Sequence, residues 1–361
     1  MYRSFTVKNF RCFQEMKIDG FERVNLVTGK NNVGKTALLE ALWVYHGYQN
    51  PILGVNIDKF RGLDTFRKDD FLRNMFFGFD AGEPIQLSAV DMNGQMSTLH
   101  IRVGQRSVSS LPIEKVQNGE TDEDADAVEV LSQETTEAVD PEVVYQIIDS
   151  SGSRVSARAF FEGTNISVKQ VAKGAKSTGI FLAARTAHNY GVIAERLSNL
   201  AVEKMEGVIV NALQIVEPHL LSLRVQYRGG VPLIYGDIGS KRLIPFPLMG
   251  DGMSRLLGIA LAITDARDGI LLIDEIENGI HHSIMPKLWQ TMSALSQANN
   301  VQVFATTHSI ECVLAAHESF SEQEPYDFSL YRLDQIKGAI QALRYDKETL
   351  EAAAEINLEV R

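Results

Sequence analysis

Apolar positions along the chain fall into runs whose period changes from one segment to the next. Residues 4–8 alternate weakly, and Val24-Asn25-Leu26-Val27-Thr28 reads as a short buried strand. A glycine-rich loop follows, and Ala37, Leu38, Leu39, Ala41, Leu42 and Val44 then fall on a helix. Strand, loop and helix in that order open an α/β unit. Between 84 and 104 the alternation is strand-like, with Asn93-Gly94 as its hairpin turn. Strands are predicted again near 143–149 and 154–160. One amphipathic helix is predicted over 192–217, where Ile193, Leu197, Leu200, Met205, Val208 and Ala212 recur at three to five residues before Pro218 ends it. A hairpin turning at Gly229-Gly230 follows. A helix over 252–265, a strand over 270–274, a helix over 281–297 and a strand over 301–305 form a second α/β block. The tail reads as a hairpin over 328–346 and a helix over 347–356. No internal repeat and no sustained apolar heptad occurs, so no long coiled coil is expected.

The pattern gives an α/β fold: a mixed or parallel sheet flanked by helices, an antiparallel β-rich lobe and a short helical insertion. At 361 residues the chain is expected to form one composite domain over 1–361. Its parts are an N-terminal lobe over 1–112, an acidic flexible loop over 113–142, a β/helical insertion over 143–222 and a C-terminal lobe over 223–361. Apolar residues at 45% and charged residues at 22% exclude extended disorder and collagen-like sequence. The net charge of -11 is mostly local, because residues 114–142 hold eleven acids against one lysine. The rest of the chain is close to neutral, so the low pI argues neither for nor against nucleic acid. Cys12 and Cys312 are too few for a disulfide framework or a zinc ribbon. The first residues carry charge from Arg3 onward with no apolar core, and no run of 18 apolar residues exists. A reduced, cytoplasmic protein is the default expectation.

Three segments carry chemistry. Gly29-Lys30-Asn31-Asn32-Val33-Gly34-Lys35-Thr36 is a G-x-x-x-x-G-K-T between a strand and a helix. Gly29 and Gly34 let main-chain N–H groups turn in around phosphate oxygens, and the helix start adds partial positive charge. Lys35 would reach the β- and γ-phosphates and the Thr36 hydroxyl would ligate Mg²⁺. Gly29, Asn31, Asn32, Val33, Gly34, Lys35, Thr36 and Ala37 are therefore the expected ATP-binding cradle. Next, Ile270-Leu271-Leu272-Ile273-Asp274-Glu275 is an apolar strand ending in two carboxylates. Asp274 would hold the Mg²⁺ shell, and Glu275 would orient and deprotonate the attacking water. Last, Val301-Gln302-Val303-Phe304-Ala305-Thr306-Thr307-His308-Ser309 ends a further strand with His308 at its tip, where the imidazole can lie beside the γ-phosphate.

The order of these motifs resembles ABC-type P-loop ATPases, and more narrowly the stand-alone heads of the SMC, RecF and OLD group. Phe5-Thr6-Val7-Lys8-Asn9-Phe10-Arg11 is similar to the first strand of those heads, which implies that Arg11 lies near the nucleotide. Asp274-Glu275-Ile276-Glu277-Asn278-Gly279-Ile280-His281 resembles the OLD-type D-loop. The resemblance also implies a signature loop that reaches the γ-phosphate of a partner subunit. Its candidate is Met249 to Arg255, with Gly250, Asp251, Gly252 and Ser254 as contacts; it departs from the usual form because Gly250 stands where a serine is expected. ATP and Mg²⁺ are the implied cofactors and a homodimer closed around ATP the implied assembly. OLD enzymes carry a Toprim nuclease after the ATPase, but only about 50 residues follow His308 here. The only DxD-type sequences, Asp122-Glu123-Asp124 and Asp124-Ala125-Asp126, lie in the acidic segment. The chain is therefore not expected to cut DNA itself, and a separately encoded nuclease or toxin-like effector in antiphage defence is implied. A RecF-like ATPase that binds DNA directly is the alternative, and Arg154, Arg158, Lys169, Lys173, Lys176 and Arg185 could offer it a phosphate-contacting surface. Glu277, His281 and His282 could be read as metal ligands, although adjacent histidines at a helix start point in different directions. No membrane association is expected.

Overall fold

The structure is a computed structural model that describes residues 1–61, 73–108, 138–162, 165–170, 178–184 and 190–355. The chain opens with strands β1 (Tyr2–Phe10), β2 (Phe13–Asp19) and β3 (Val24–Gly29), then helices α1 (Lys35–His46) and α2 (Ile52–Phe60). Strands β4 (Ile85–Asp91), β5 (Met96–Val108), β6 (Ala138–Ile148), β7 (Arg154–Glu162), β8 (Asn165–Gln170) and β9 (Gly179–Leu182) follow. Helices α3 (Tyr190–Val202) and α4 (Glu206–Gln214) lead to strands β10 (Ser222–Arg228), β11 (Val231–Asp237) and β12 (Ile244–Pro245). The last part runs through α5 (Asp251–Asp265), β13 (Ile270–Ile273), α6 (Met285–Ala298), β14 (Gln302–Thr306), α7 (Ile310–Ser321), β15 (Phe328–Ile336), β16 (Ala339–Tyr345) and α8 (Lys347–Glu355).

Three sheets result. A six-stranded sheet has the order β16-β15-β3-β14-β13-β9, and all its pairs are parallel except β15 with β16. A seven-stranded antiparallel sheet has the order β2-β1-β4-β5-β6-β7-β8, and β10-β11-β12 form a small third sheet. Strands β6 to β8 from the expected insertion continue the antiparallel sheet, and β9 from the same stretch closes an edge of the parallel one. Most of the acidic segment and both DxD-type sequences lie outside the described residues; its last residues, from Ala138, begin β6.

Two apolar clusters fill the space between layers. One packs α5, α6 and α7 against β3, β13 and β14. The other lies between the parallel and antiparallel sheets and encloses α1, which is buried at ten of its twelve positions. A helix covered on every side needs no polar face, which is why α1 reads as apolar nearly all round.

The single helix predicted over 192–217 is two helices. Lys204 takes φ 58, its N–H bonds to the Ala201 carbonyl at 3.1 Å, and the Met205 N–H bonds to the Leu200 carbonyl at 2.8 Å. That pair of bonds is a Schellman cap, so α3 ends there while Met205 still packs against the core. The apolar spacing survived the break and hid it. The helix predicted from 281 begins later: His282–Ile284 is a single 3-10 turn, and Pro286 sits in the first turn of α6. Strands β2 and β9 and helices α2 and α7 were not anticipated. Among the described residues no helix is long and apolar enough to cross a membrane.

Candidate functional site

Parallel pairing sets the site. Val27 lies beside Thr306 on β14, and Ala305 lies beside Ile273 on β13. The carboxyl ends of β3, β13 and β14 therefore finish side by side, the place where open α/β sheets receive ligands. Each end delivers one of the three sequence motifs.

From β3 the chain enters the P-loop. Gly29 has φ 134, and a Cβ there would run into the Leu333 carbonyl oxygen; Gly34 has φ 95, and its Cβ would meet Cys12 Sγ at 2.7 Å. Only glycine fits both positions. Asn31 and Asn32 are exposed, Val33 is partly buried against the core, and Ala37 is buried in α1. The buried Lys35 ammonium donates to the carbonyls of Gly29 at 2.7 Å and Lys30 at 2.9 Å. Burial pulls the Lys35 pKa down, while Asp274, Glu275 and Glu277 favour its charge.

From β13 comes the carboxylate pair. Thr36 Oγ1 lies 3.0 and 3.1 Å from the two Asp274 carboxylate oxygens, and Thr306 Oγ1 donates to Asp274 Oδ1 at 2.6 Å. The same Thr306 hydroxyl accepts the Glu275 N–H at 2.9 Å. Glu275 has φ 49, a left-handed conformation that costs a non-glycine residue about 1 kcal/mol or more and is found where a site constrains it. Asn278 Nδ2 donates to Glu275 Oε2 at 2.6 Å, and His308 Nε2 lies 3.9 Å from Glu275 Oε1. The His308 N–H bonds to Glu277 Oε1 at 2.6 Å. Lys35, Thr36, Asp274, Glu275 and His308 thus come together from positions up to 273 residues apart in sequence.

A cavity of about 740 Å³ opens over these groups, lined by Asn31, Asn32, Gly34, Lys35, Thr36, Ala37, Glu275 and His308. Its other wall holds Arg11, Cys12, Arg61, Asn74, Phe76, Gly78 and Phe79. Arg11 is engaged within the chain: Nη2 meets Asp58 Oδ1 at 2.6 Å and Nη1 donates to the Asn74 carbonyl at 2.9 Å. Arg61 forks onto the buried Glu40 carboxylate at 2.7 and 3.0 Å. Glu40 lies one helical turn beyond Thr36, and burial pushes its carboxyl up against the pull of Arg61 and Arg11. Phe79, at φ 61, leaves 66% of its surface exposed at the cavity rim. Sequence reasoning missed Arg61, Asn74, Asn278 and Phe79. Arg61 and Phe79 belong to no motif, and only their placement beside the P-loop gives them away.

The proposed signature residues do not line this cavity. Gly250 and Asp251 are exposed and Gly252 is half-buried at the start of α5. Ser254 does not share that surface. It is buried, with Oγ 3.4 Å from the Gly250 carbonyl and from the Tyr190 hydroxyl. Arg255 is buried as well, and its Nη2 lies 3.4 Å from the carbonyls of both Asp274 and Glu275. About half a helical turn separates the two groups: residues 250–252 lie toward the surface at the helix start, and 254–255 face the core.

Among the described residues no group of three or more His, Cys, Asp and Glu could hold a metal by itself. The His281 and His282 rings lie with centroids 4.1 Å apart and planes tilted by 40°, and His281 Nδ1 pairs with Ser283 Oγ at 2.9 Å. Thr36 and Asp274 are hard oxygen donors 3.0 Å apart. They suit a Mg²⁺ ion that takes its remaining ligands from phosphate and water. Arg154, Arg158 and Lys169 are exposed, with Arg158 beside Lys169 across β7 and β8 and 3.5 Å from Glu142. Lys173, Lys176 and Arg185 lie outside the described residues.

Residues 24–313 match the family described as "AAA domain, putative AbiEii toxin, Type IV TA system". An ATP/GTP phosphatase of Helicobacter pylori is 26% identical over 342 residues, spanning 90% of each chain. An uncharacterized protein of Methanocaldococcus jannaschii is 42% identical over 65 residues, 18% of this chain and 57% of that one. Among solved structures, an SMC head bound to the C-winged helix domain of ScpA aligns over 97% of this chain and 99% of its own, with a TM-score of 0.51 and 11% identity. The likeness is one of fold: an SMC-head-like α/β architecture with mixed sheets flanked by helices.

Proposed function

This chain belongs to that AAA-domain family and is an ABC-type P-loop ATPase of the SMC/RecF-like kind, and we propose that two copies close around ATP to control a separately encoded effector. The reading rests above all on one observation. Lys35, Thr36, Glu275 and His308 line one cavity and Asp274 lies 3.0 Å from Thr36 Oγ1 at its edge, while the helix start at 250–252 stands apart from it.

In this reading the P-loop N–H groups and the start of α1 hold the triphosphate from one side, and Lys35 exchanges its carbonyl partners for β- and γ-phosphate oxygens. Thr36 and Asp274 hold Mg²⁺, which neutralises charge on the phosphates when bound. Glu275 orients a water and accepts its proton as the water oxygen bonds to the γ-phosphorus and the bond to the β,γ-bridging oxygen breaks, leaving ADP and phosphate. His308 hydrogen-bonds the γ-phosphoryl group. Gly250, Asp251 and Gly252 of the second copy complete the other side with main-chain N–H groups. Hydrolysis removes the group the two copies share, and the pair opens.

The effector part of the proposal takes its setting from the family description, which names a putative AbiEii toxin and a type IV TA system beside the AAA domain. A toxin-like effector follows from that setting, and a nuclease acting in defence against phage follows from the resemblance of residues 274–281 to the OLD-type D-loop. The reading is tested with Glu275→Gln, which retains nucleotide but cannot accept the water proton. In size-exclusion chromatography this variant is expected to run as a dimer with Mg²⁺–ATP and as a monomer without it. A monomer under both conditions sinks the ATP sandwich. Salt-dependent DNA binding by the isolated protein would favour the RecF-like alternative over effector control.

A further inference from the structure

Glu277 takes no part in the chemistry just described, yet it is tied to it. Glu275 is left-handed, Ile276 is fully buried, and the Ile276 N–H bonds to the Thr306 carbonyl at 3.0 Å. The turn after β13 therefore folds back onto the tip of β14. This brings Glu277 Oε1 to the His308 N–H at 2.6 Å. Glu277 Oε2 is buried with no hydrogen-bond partner among the described residues. A carboxylate held in this way, with one oxygen on a main-chain N–H and the other unsatisfied, costs free energy that a surface turn would not retain. Arg255 contributes to its charge environment but makes no direct bond, since its Nη2 lies on the carbonyls of Asp274 and Glu275.

We propose that Glu277 is a positioning residue for hydrolysis: it fixes the main chain of His308 against the turn that carries Glu275. The 3.9 Å separation of His308 Nε2 from Glu275 Oε1 is then set from behind by the Glu277 clasp. The two groups must straddle one γ-phosphoryl group and one water, so a shift of about 1 Å in His308 lowers the rate on the order of a hundredfold. The inference rests on the proposed roles of Glu275 and His308.

The test is steady-state ATP hydrolysis by the full-length protein, with ATP binding followed separately by titration of a fluorescent ATP analogue. Glu277→Ala is expected to lower kcat about 10- to 100-fold and to leave analogue affinity and KM within about twofold. Glu277→Gln keeps an oxygen that accepts the His308 N–H and is expected to recover most of the rate. The double variant Glu277→Ala/His308→Ala should be no slower than His308→Ala alone, because both changes remove one function. The proposal is overturned if Glu277→Ala hydrolyses at the wild-type rate, if Glu277→Gln is as slow as the alanine variant, or if the double variant shows additive losses. A Lys35→Ala control keeps the two readings apart. If it retains full activity the ATPase site itself is misplaced; if it is inactive while Glu277→Ala is unaffected, only this inference fails.

Discussion

The P-loop half of the site and the signature-loop half are built in opposite ways. In the first, Lys35 and Asp274 are buried, and the Lys35 ammonium, the Thr36 hydroxyl and the Thr306 hydroxyl all find acceptors within the chain. Strained backbone at Glu275 and the glycine-only turn at Gly34 are held in place by packed neighbours. In the second, Gly250 takes φ 103 and ψ 153, and Leu248 beside it is 77% exposed. One half packs its polar side chains on partners within the chain; the other displays a helix start and an exposed apolar side chain. In the proposed reading the first half holds nucleotide and the second receives the other copy.

The largest effect that can break this comparison comes from the finished half. Lys35→Ala should abolish ATP binding, and Glu275→Gln should bind ATP but lose on the order of a thousandfold in kcat, measured by phosphate release. Equal losses of binding in both variants would contradict the division of labour between grip and chemistry. Next comes the unfinished half. Gly252→Asp can be accommodated, because its new Cβ would lie 3.3 Å from the mobile end of Ile284, yet it places a carboxylate where a partner's phosphate is expected. Alone it should be inactive while still binding ATP. Mixed with Lys35→Ala it should regain up to about a quarter of wild-type activity, since half the dimers then carry one intact composite site out of two. No recovery on mixing means that the loop does not act across the interface.

A third prediction concerns neither half and serves as a control. His46, at the far end of α1, has Nδ1 2.7 Å from the Tyr2 hydroxyl, and burial lowers its pKa from 6.5 to about 4. The unfolded chain binds the extra proton first, so stability held above pH 6.5 falls as the pH drops toward 4, by at most about 3 kcal/mol. Urea unfolding at pH 7 and pH 4.5 should show this loss in the wild type and a smaller one in His46→Gln. The smallest effect belongs to the rim. Phe79→Ala should raise KM for ATP a few-fold with kcat unchanged, because an exposed ring at the mouth of the cavity offers a base a stacking face worth about 1 kcal/mol.

The finished half was largely legible in the sequence, and the unfinished half was not. Phosphate binding demands glycines and a lysine at fixed spacing, and strand ends must carry the carboxylates and the imidazole, so local chemistry leaves a local pattern. Arg61 on Glu40 and Glu277 on His308 are contacts across 21 and 31 residues, made possible only by how the elements stack, and no spacing rule announces them. Ser254 shows the converse error. It lies close to a glycine-rich turn at the surface, but about half a helical turn of α5 carries it into the core. The break between α3 and α4 escaped for a related reason: a Schellman turn at a lysine costs the chain its helix without disturbing the apolar rhythm on either side.

The parallel sheet has one more consequence. Neighbouring strands are held about 4.8 Å apart by their backbone ladder whatever lies between them in sequence. Thr36 and Asp274 are 238 residues apart along the chain and 3.0 Å apart in space because β3, β14 and β13 act as a fixed ruler. Everything threaded between those rungs can lengthen, shorten or be exchanged for a new module without recalibrating the reaction, which leaves evolution and engineering free to fit one engine to many different loads.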